Sequence, residues 1–438
     1  MKIQQFHKAL IMAFLAIPFF ACDSDDSDPV VPVDFSVTVK HSETFENQVV
    51  KNLEVIATNT ANQTELKVTT DETGTAKFMG LTPGEYSFSA KLTMTPEQFL
   101  NFAAQKVEDD VVFNVNQGNV SVNVTSPTSL NLVLVTGKVG NLLIKQIYYT
   151  GSDIQEGALF RDQFIEIYNN STEVIYADSL HIAQINGRTS SSVKDYTLPN
   201  GQFDWSKSLN MSPANDEANT EYVYAKALFR IPGTGKQYPI QPGESIILAQ
   251  NGLNHKAPFT DKNGNQVTVK NPALTVDLSG ADFEVFMNDD YVSDLDAPNV
   301  PNVDALLNPN RDLVLNPQGK EAYVIFKTSE KIEDSWKKYP DPSVKEVNER
   351  TKFNYQIPNN LVIDAVQLQF SPSKIYNARI HDHQDAGYSY APKGAFSSQS
   401  IIRKTAKEFA GRKILQDTNN SSEDFTTLDI ANPRGFAQ

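Results

Sequence analysis

The sequence predicts an all-β protein built from two sandwich-type units in tandem, and three observations carry that reading. From residue 34 onward, short runs of alternating apolar and polar residues are separated by turn residues, and helical periodicity is scarce. The aromatic content is 25 Phe and 16 Tyr against 2 Trp, set among Val, Thr and Asn in the mix that suits a pleated, half-buried surface. The texture also changes once, near residue 137, from short alternating stretches to longer apolar strands with wide polar loops. A length of 438 residues leaves room for two or three domains.

The first 33 residues stand apart. Lys2 and Lys8 mark a short positive start, and residues 9–21 are apolar apart from Pro18, the pattern of a secretory signal. This run falls short of the ~20 residues that a spanning helix needs. It ends in "FFACDSDDSD", which holds Cys22, the one cysteine of the chain. A lone thiol closes no intrachain disulfide, so its role must come from its position. A signal core ending in a small residue and then cysteine resembles a bacterial lipoprotein box. That resemblance implies removal of residues 1–21, acylation of Cys22 (palmitate among the chains) and anchoring in the outer membrane. Asp23, Asp25 and Asp26 resemble the acidic export tag of Bacteroidota surface lipoproteins, which implies a cell-surface, outward-facing protein. Physically, residues 22–33 form an acidic linker with little that could pack. The formal charge is −15, and losing Lys2 and Lys8 makes it more negative. Such a balance excludes nucleic acid as the main partner, because phosphate binding relies on lysine and arginine displacing counterions.

Residues 34–136 break into "VDFSVTVK", "LEVIATNT", "TELKVTT", "TAKFMG", "EYSFSAKLTM", "VVFNVN" and "SLNLVLV", the spacing of a small antiparallel sandwich. Within residues 70–90, Asp71 and Gly74 supply turn chemistry, Ala76 and Phe78 alternate inward, and a Leu81-Thr-Pro-Gly84 turn precedes Tyr86, Phe88 and Ala90. This stretch resembles the carboxypeptidase regulatory-like (collagen-adhesin B-type) module, which implies an immunoglobulin-like stalk. "TPEQFLNFAAQKVED" reads instead as one inserted helix. Thr95 caps it, Pro96 fits its first turn, Gln98 completes a capping box, and Phe99, Phe102 and Ala103 share a face.

From residue 137 the chain shows "FIEIYN" (164–169) with Asn170 and Ser171 in a turn, then "PGESIILA" (242–249), "NNLVIDAVQL" (359–368), "SIIRKT" (400–405) and a closing segment over 417–435. These blocks resemble the lamin-tail domain. The resemblance implies a second immunoglobulin-like sandwich over 137–438, with long loop insertions near 185–235 and 285–350. Alternation leaves Glu166 on the Phe164/Tyr168 face, odd for a plain two-faced strand. Within such folds Glu166 and Asn169 serve structure.

A search for chemistry finds neither a G-x-S-x-G elbow nor an H-E-x-x-H motif. "GTGKQ" (233–237) lacks the flanking residues of a phosphate loop and reads as a turn. The cluster with ligand character is "HDHQDAG": His381 and His383 share a face if extended and could hold zinc or copper with Asp385 nearby. The competing reading is a solvated strand end. Asp289, Asp290, Asp294, Asp296, Asp304 and Asp312 offer oxygens to calcium, against the alternative of a solvated acidic surface. No EF-hand pattern is present, and "DKNGN" (261–265) reads as a tight turn. Arg403, Lys404, Lys407, Arg412 and Lys413 read as the wet side of a terminal strand and loop, with a patch for phosphate or a polyanionic glycan as the alternative. Trp205, Tyr291 and Trp336, with Phe203, Tyr222, Tyr224 and Tyr339, lie in the insertions and are candidate anchors for a partner.

The sequence therefore points to a non-enzymatic binding or accessory module with no cofactor required. The pairing of both domains behind a lipoprotein signal resembles a group of uncharacterised Bacteroidota surface lipoproteins found beside TonB-dependent uptake systems, which implies a β-barrel receptor as partner. A structural or adhesive surface protein is the alternative, and a metal-dependent hydrolase using His381 and His383 a remote one.

Overall fold

A computed structural model describes residues 31–42, 45, 47–103, 110–136, 142–171, 174–188, 191–287, 290–371, 379–409 and 411–437. The lipidation and export residues, Cys22, Asp23, Asp25 and Asp26, lie outside these, as does residue 289. The chain is nearly all β, with separate cores before and after residue 137.

The first unit comprises β1 (Val33–His41), β2 (Glu54–Asn59), β3 (Glu65–Thr69), β4 (Thr75–Leu81), β5 (Gly84–Met94), β6 (Val111–Val122) and β7 (Ser129–Thr136), hydrogen-bonded in the order β3-β2-β5-β6-β7-β1-β4. Alternation decides which residues face in. Val33, Phe35, Val37 and Val39 are buried along β1, and Tyr86, Phe88 and Ala90 along β5, as a side-chain period of two requires. Asp71 accepts from the Thr73 and Thr75 N–H groups at 2.8 and 3.1 Å. Gly74 sits at φ +74°, where an added Cβ would lie 2.9 Å from the Val39 carbonyl oxygen, so this turn requires glycine. The inserted helix spans Pro96–Ala103. Its capping box closes reciprocally: Thr95 N–H donates to Gln98 Oε1 (2.8 Å) and Gln98 N–H to Thr95 Oγ1 (3.3 Å). Phe99 and Phe102 pack against Phe113 and Phe45 at ring distances of 5.2–6.2 Å.

The second unit stacks two sheets. The strands of these two sheets are β8 (Leu142–Tyr148), β9 (Phe164–Asn169), β10 (Leu180–Ile185), β11 (Tyr222–Arg230), β12 (Ser245–Ala249), β13 (Phe283–Glu284), β14 (Asp304–Leu307), β15 (Ala322–Lys327), β16 (Lys338–Pro340), β17 (Phe353–Pro358), β18 (Val362–Gln367), β19 (Ser400–Arg403) and β20 (Phe425–Leu428). One sheet runs β13-β12-β9-β8-β19-β20. The other runs β16-β17-β11-β10-β15-β18, with β14 also on β11. Ile144, Ile165, Ile167 and Leu248 from the first sheet meet Ile182, Phe229, Tyr323 and Val366 from the second in one core. The "FIEIYN" and "SIILA" stretches are direct antiparallel partners, from Ser245 opposite Tyr168 to Ala249 opposite Phe164.

The expected loop insertions are corrected by this arrangement. β11 and β15 lie inside the spans 185–235 and 285–350, and both flank β10 in the middle of the second sheet. A register shift where β10 meets β11 explains the misreading. Val223 and Ala225 face one core while Ala227 and Phe229 face the other. An extra residue breaks the period of two and hides the strand from an alternation test.

Candidate functional site

Between the two units lies a cleft of about 800 Å³. Its floor is the outward face of β2, β5 and β6. Because Tyr86, Phe88 and Ala90 point inward along β5, Ser87, Ser89 and Lys91 must point outward, and Asn114 and Asn116 join them from β6. The opposite wall comes from residues 380–388 and 420–423, with Asn200 and Gln202 beside them. Contacts that cross between the units include the Lys91–Glu423 ion pair, Asn114 Nδ2 donating to the Thr418 carbonyl, and Asn116 Nδ2 donating to the Ala386 carbonyl at 3.2 Å.

The far wall is held by Asp385. Its carboxylate accepts from Gln367 N–H (2.7 Å), Gly387 N–H (2.9 Å), Ser421 N–H (2.7 Å) and the Ser421 hydroxyl. Burial pushes this carboxyl up to about 7, with those hydrogen bonds pulling the other way. Gly387 is tightly enclosed, since a Cβ there would lie 2.0 Å from Asn420 Oδ1. Asn420 in turn caps the short helix Ser421–Asp424.

His381 and His383 come together in this wall as parallel rings, centroids 5.5 Å apart and planes within 6°. His381 Nε2 is 3.1 Å from the Tyr222 carbonyl. Burial lowers both imidazoles, and His383, which also feels His381, falls to about 4. They are therefore neutral at pH 7. Asp382 between them is pushed up to about 7 by burial, against a backbone hydrogen bond from Asn116. Asp385 does not join the pair as a third ligand, because its oxygens are engaged by the four donors named above. Among the described residues, no group of three His, Cys, Asp or Glu is placed to hold a metal ion.

The other candidates sort by burial. Trp205 is 2% exposed and stacks on Tyr224 at 3.8 Å, with Phe203, Met211 and Tyr339 completing the cluster. It pins the 203–220 segment to β11 and offers no surface for a partner. Trp336 is half-buried, stacked on Phe326 at 5.6 Å, and donates to Glu330 at 2.7 Å. Tyr291 is half-buried at a turn whose carbonyl accepts from Asp294 N–H (3.0 Å). Arg403, expected on a wet face, is 1% exposed among carboxylates.

The acidic run is likewise built into the fold. Asp294 accepts from Met287 N–H (2.9 Å), Asp312 from Gln250 Nε2 (2.5 Å) and Leu313 N–H (2.6 Å), Asp296 from Asn302 (3.0 Å), and Asp304 pairs with Arg230 (2.9 Å). "GTGKQ" wraps an anion of its own chain: Gly235, Gln237 and Tyr238 N–H groups all donate to the Asp178 carboxylate at 2.8–3.0 Å. Asp261 closes the "DKNGN" turn through Asn263 and Asn265 N–H groups. Sequence reasoning missed Ser87, Ser89, Asn114 and Asn116. Their signal was an outward face of small uncharged polar residues, where a solvated strand usually carries charges.

Residues 241–431 match the family model described as a protein of unknown function (DUF4876). The crystal structure of a DUF4876 family protein from Bacteroides thetaiotaomicron is similar in fold, at 24% identity and a TM-score of 0.52, over 90% of this chain and 95% of that one. Fervidolysin from Fervidobacterium pennivorans, a keratinolytic enzyme related to subtilisin, is far less similar at 12% identity and a TM-score of 0.19, covering 36% of this chain and 21% of that one. A candidate adhesin from Bacteroides ovatus stands at 10% and 0.15, covering 35% and 54%. No curated protein matches the chain.

Proposed function

We propose that this chain, with its DUF4876 region over 241–431, is a lipid-anchored, non-enzymatic binding module of the outer-membrane surface. In this reading a carboxypeptidase-regulatory-like stalk carries a lamin-tail-like head, and a TonB-dependent β-barrel receptor is the membrane partner. The anchor rests on Cys22 at the end of the signal core. The binding role rests on one observation, the cleft of about 800 Å³ shared by both units and lined by polar and apolar side chains together, which falls in the size range of ligand sites.

Two measurements test the two halves. Labelled palmitate should enter the chain and vanish in Cys22→Ser; label retained in that variant would refute the anchor. For the cleft, the purified chain is melted with neutral glycan, acidic glycan and peptide fractions of the growth medium. At least one fraction should raise Tm, and the rise should disappear in Ser89→Trp/Asn116→Trp, which fills the cleft from half-buried positions on its floor. A rise of equal size in the filled variant, or none with any fraction, would overturn the assignment.

A further inference from the structure

The structure assigns the cleft a ligand class: we infer that it takes a neutral, hydroxyl-rich oligosaccharide. This rests on the proposed binding role and deepens it.

Hydrogen-bonding type is the first argument. The floor offers Ser87, Ser89 and Asn116, and the opposite side offers Asn200, Gln202 and Ser422. Amide and hydroxyl side chains present donors and acceptors together. A sugar hydroxyl does the same, so each such pairing can be satisfied in either direction. Ile56, Val115, Val133, Val135, Ile380 and Tyr388 also line the cleft, so its lining mixes apolar with polar side chains, whereas a lipid or aromatic ligand calls for a predominantly apolar one.

Charge is the second argument. Lys91 is paired with Glu423 across the cleft, and Glu54 with Lys67 at 3.2 Å. No excess of cations remains to hold a sulfated or phosphorylated chain, and the overall charge of −15 repels one. The parallel imidazoles of His381 and His383 and the ring of Tyr388 add flat faces, uncharged at neutral pH, of the kind that the C–H side of a pyranose can cover.

Topology is the third argument, and it separates saccharide from peptide. Extended peptides are commonly taken by adding a strand to a free sheet edge. The floor strands have no such edge: β2 lies between β3 and β5, β5 between β2 and β6, and β6 between β5 and β7. On these strands the backbone is already paired on both sides, so recognition at the floor runs through side chains, chiefly amides and hydroxyls.

Calorimetric titration of the purified chain with short neutral oligosaccharides, their sulfated counterparts and a tryptic peptide pool tests this. A neutral oligosaccharide should bind, its sulfated form about tenfold or more weaker, and Ser89→Ala/Asn116→Ala should weaken the neutral ligand by about tenfold, the loss expected for two hydrogen bonds. Peptide binding alone, lost in the variant, would overturn the saccharide assignment and leave the cleft reading standing. Neutral oligosaccharide binding unchanged in the variant would overturn the location. No binding by any of the three classes would overturn both readings.

Discussion

Arg403→Leu should unfold the second unit at pH 7 and regain structure on acidification. Arg403 is 1% exposed and donates to both oxygens of Asp364 (2.8 and 3.0 Å), to Asp417 (3.2 Å), to Asp424 (3.3 Å) and to the Ile144 and Gln416 carbonyls (3.1 Å each). Asp364 also accepts from Ile144 N–H at 2.6 Å. One guanidinium thus ties β8, β18, β19 and the 416–424 segment together. Three carboxylates surround one cation, so its loss leaves buried negative charge with no counter-ion. Breaking a buried pair from one side costs about 3–5 kcal/mol, and here one side chain serves three partners. Against a typical total of about 5–15 kcal/mol, that is enough to unfold the unit.

The pH dependence follows from the carboxyls. Burial raises Asp364 and Asp424, and Asp417 to about 6, with Arg403 pulling all three down. Without the guanidinium they rise further. Folded groups that hold protons above their unfolded range give stability that is present at low pH and lost as pH rises, so the defect in Arg403→Leu should shrink toward pH 5. In the parent chain the same rule applies to Asp385 and Asp382, both near 7. It runs in reverse for His181, His255 and His383, which burial lowers to about 4. Their contribution is present above the unfolded value of ~6.5 and is lost as pH falls toward 4. The two effects oppose each other between about pH 4 and 6.5, so the variant is compared with the parent at each pH. Both tryptophans, Trp205 and Trp336, lie in the second unit, so their fluorescence reports this unit alone. A variant that melts within a few degrees of the parent at pH 7, or worsens on acidification, would contradict the role given to Arg403.

How much of this was legible in the sequence depends on how local each cause is. The strands of the first unit follow a period of two, and the capping box around Thr95 and Gln98 lies within four residues, so both can be read directly. "FIEIYN" and "SIILA" were visible as strands, whereas their pairing, between segments far apart in the chain, appears only in the fold. β11 was not visible, because its bulge breaks the period. Arg403 looked like part of a basic surface run with Lys404 and Lys413. Its burial depends on Asp364, Asp417 and Asp424, and only the fold brings the most distant of them, Asp364, to the guanidinium. The cleft is legible least of all. Ser89 and Asn116 are ordinary outward residues of the first unit until residues 380–388 and 420–423 stand opposite them. His381 and His383 drew attention as ligands, whereas the fold places them as a neutral stacked pair in a wall of the cleft.

Glu166 is the residue whose oddity was visible in the sequence and whose reason was not. It stands on the Phe164/Tyr168 face of β9 yet is 0% exposed, because the chain's last segment folds over that face. Lys145 Nζ (2.8 Å), Ser245 Oγ (2.5 Å), Gln146 Nε2 (3.2 Å) and Arg434 N–H (3.2 Å) all donate to it. Lys145 is 1% exposed and sits 3.9 Å over the Phe436 ring. Burial pulls its ammonium down, and Glu166 offsets part of that. The two partners are therefore unequal. Glu166→Leu strands four donors, a buried ammonium among them, and should cost about 3–5 kcal/mol. Lys145→Met leaves the carboxylate with three donors and should cost less, about 2–3 kcal/mol, because an ion that keeps its hydrogen bonds is less exposed to the desolvation penalty. The double variant should be less damaged than the sum of the singles, since neither charge is left alone. Denaturant unfolding followed by tryptophan fluorescence measures all three. If Lys145→Met is the more damaging single change, or the singles simply add, Glu166 is not the node that fastens the closing segment to the sheet.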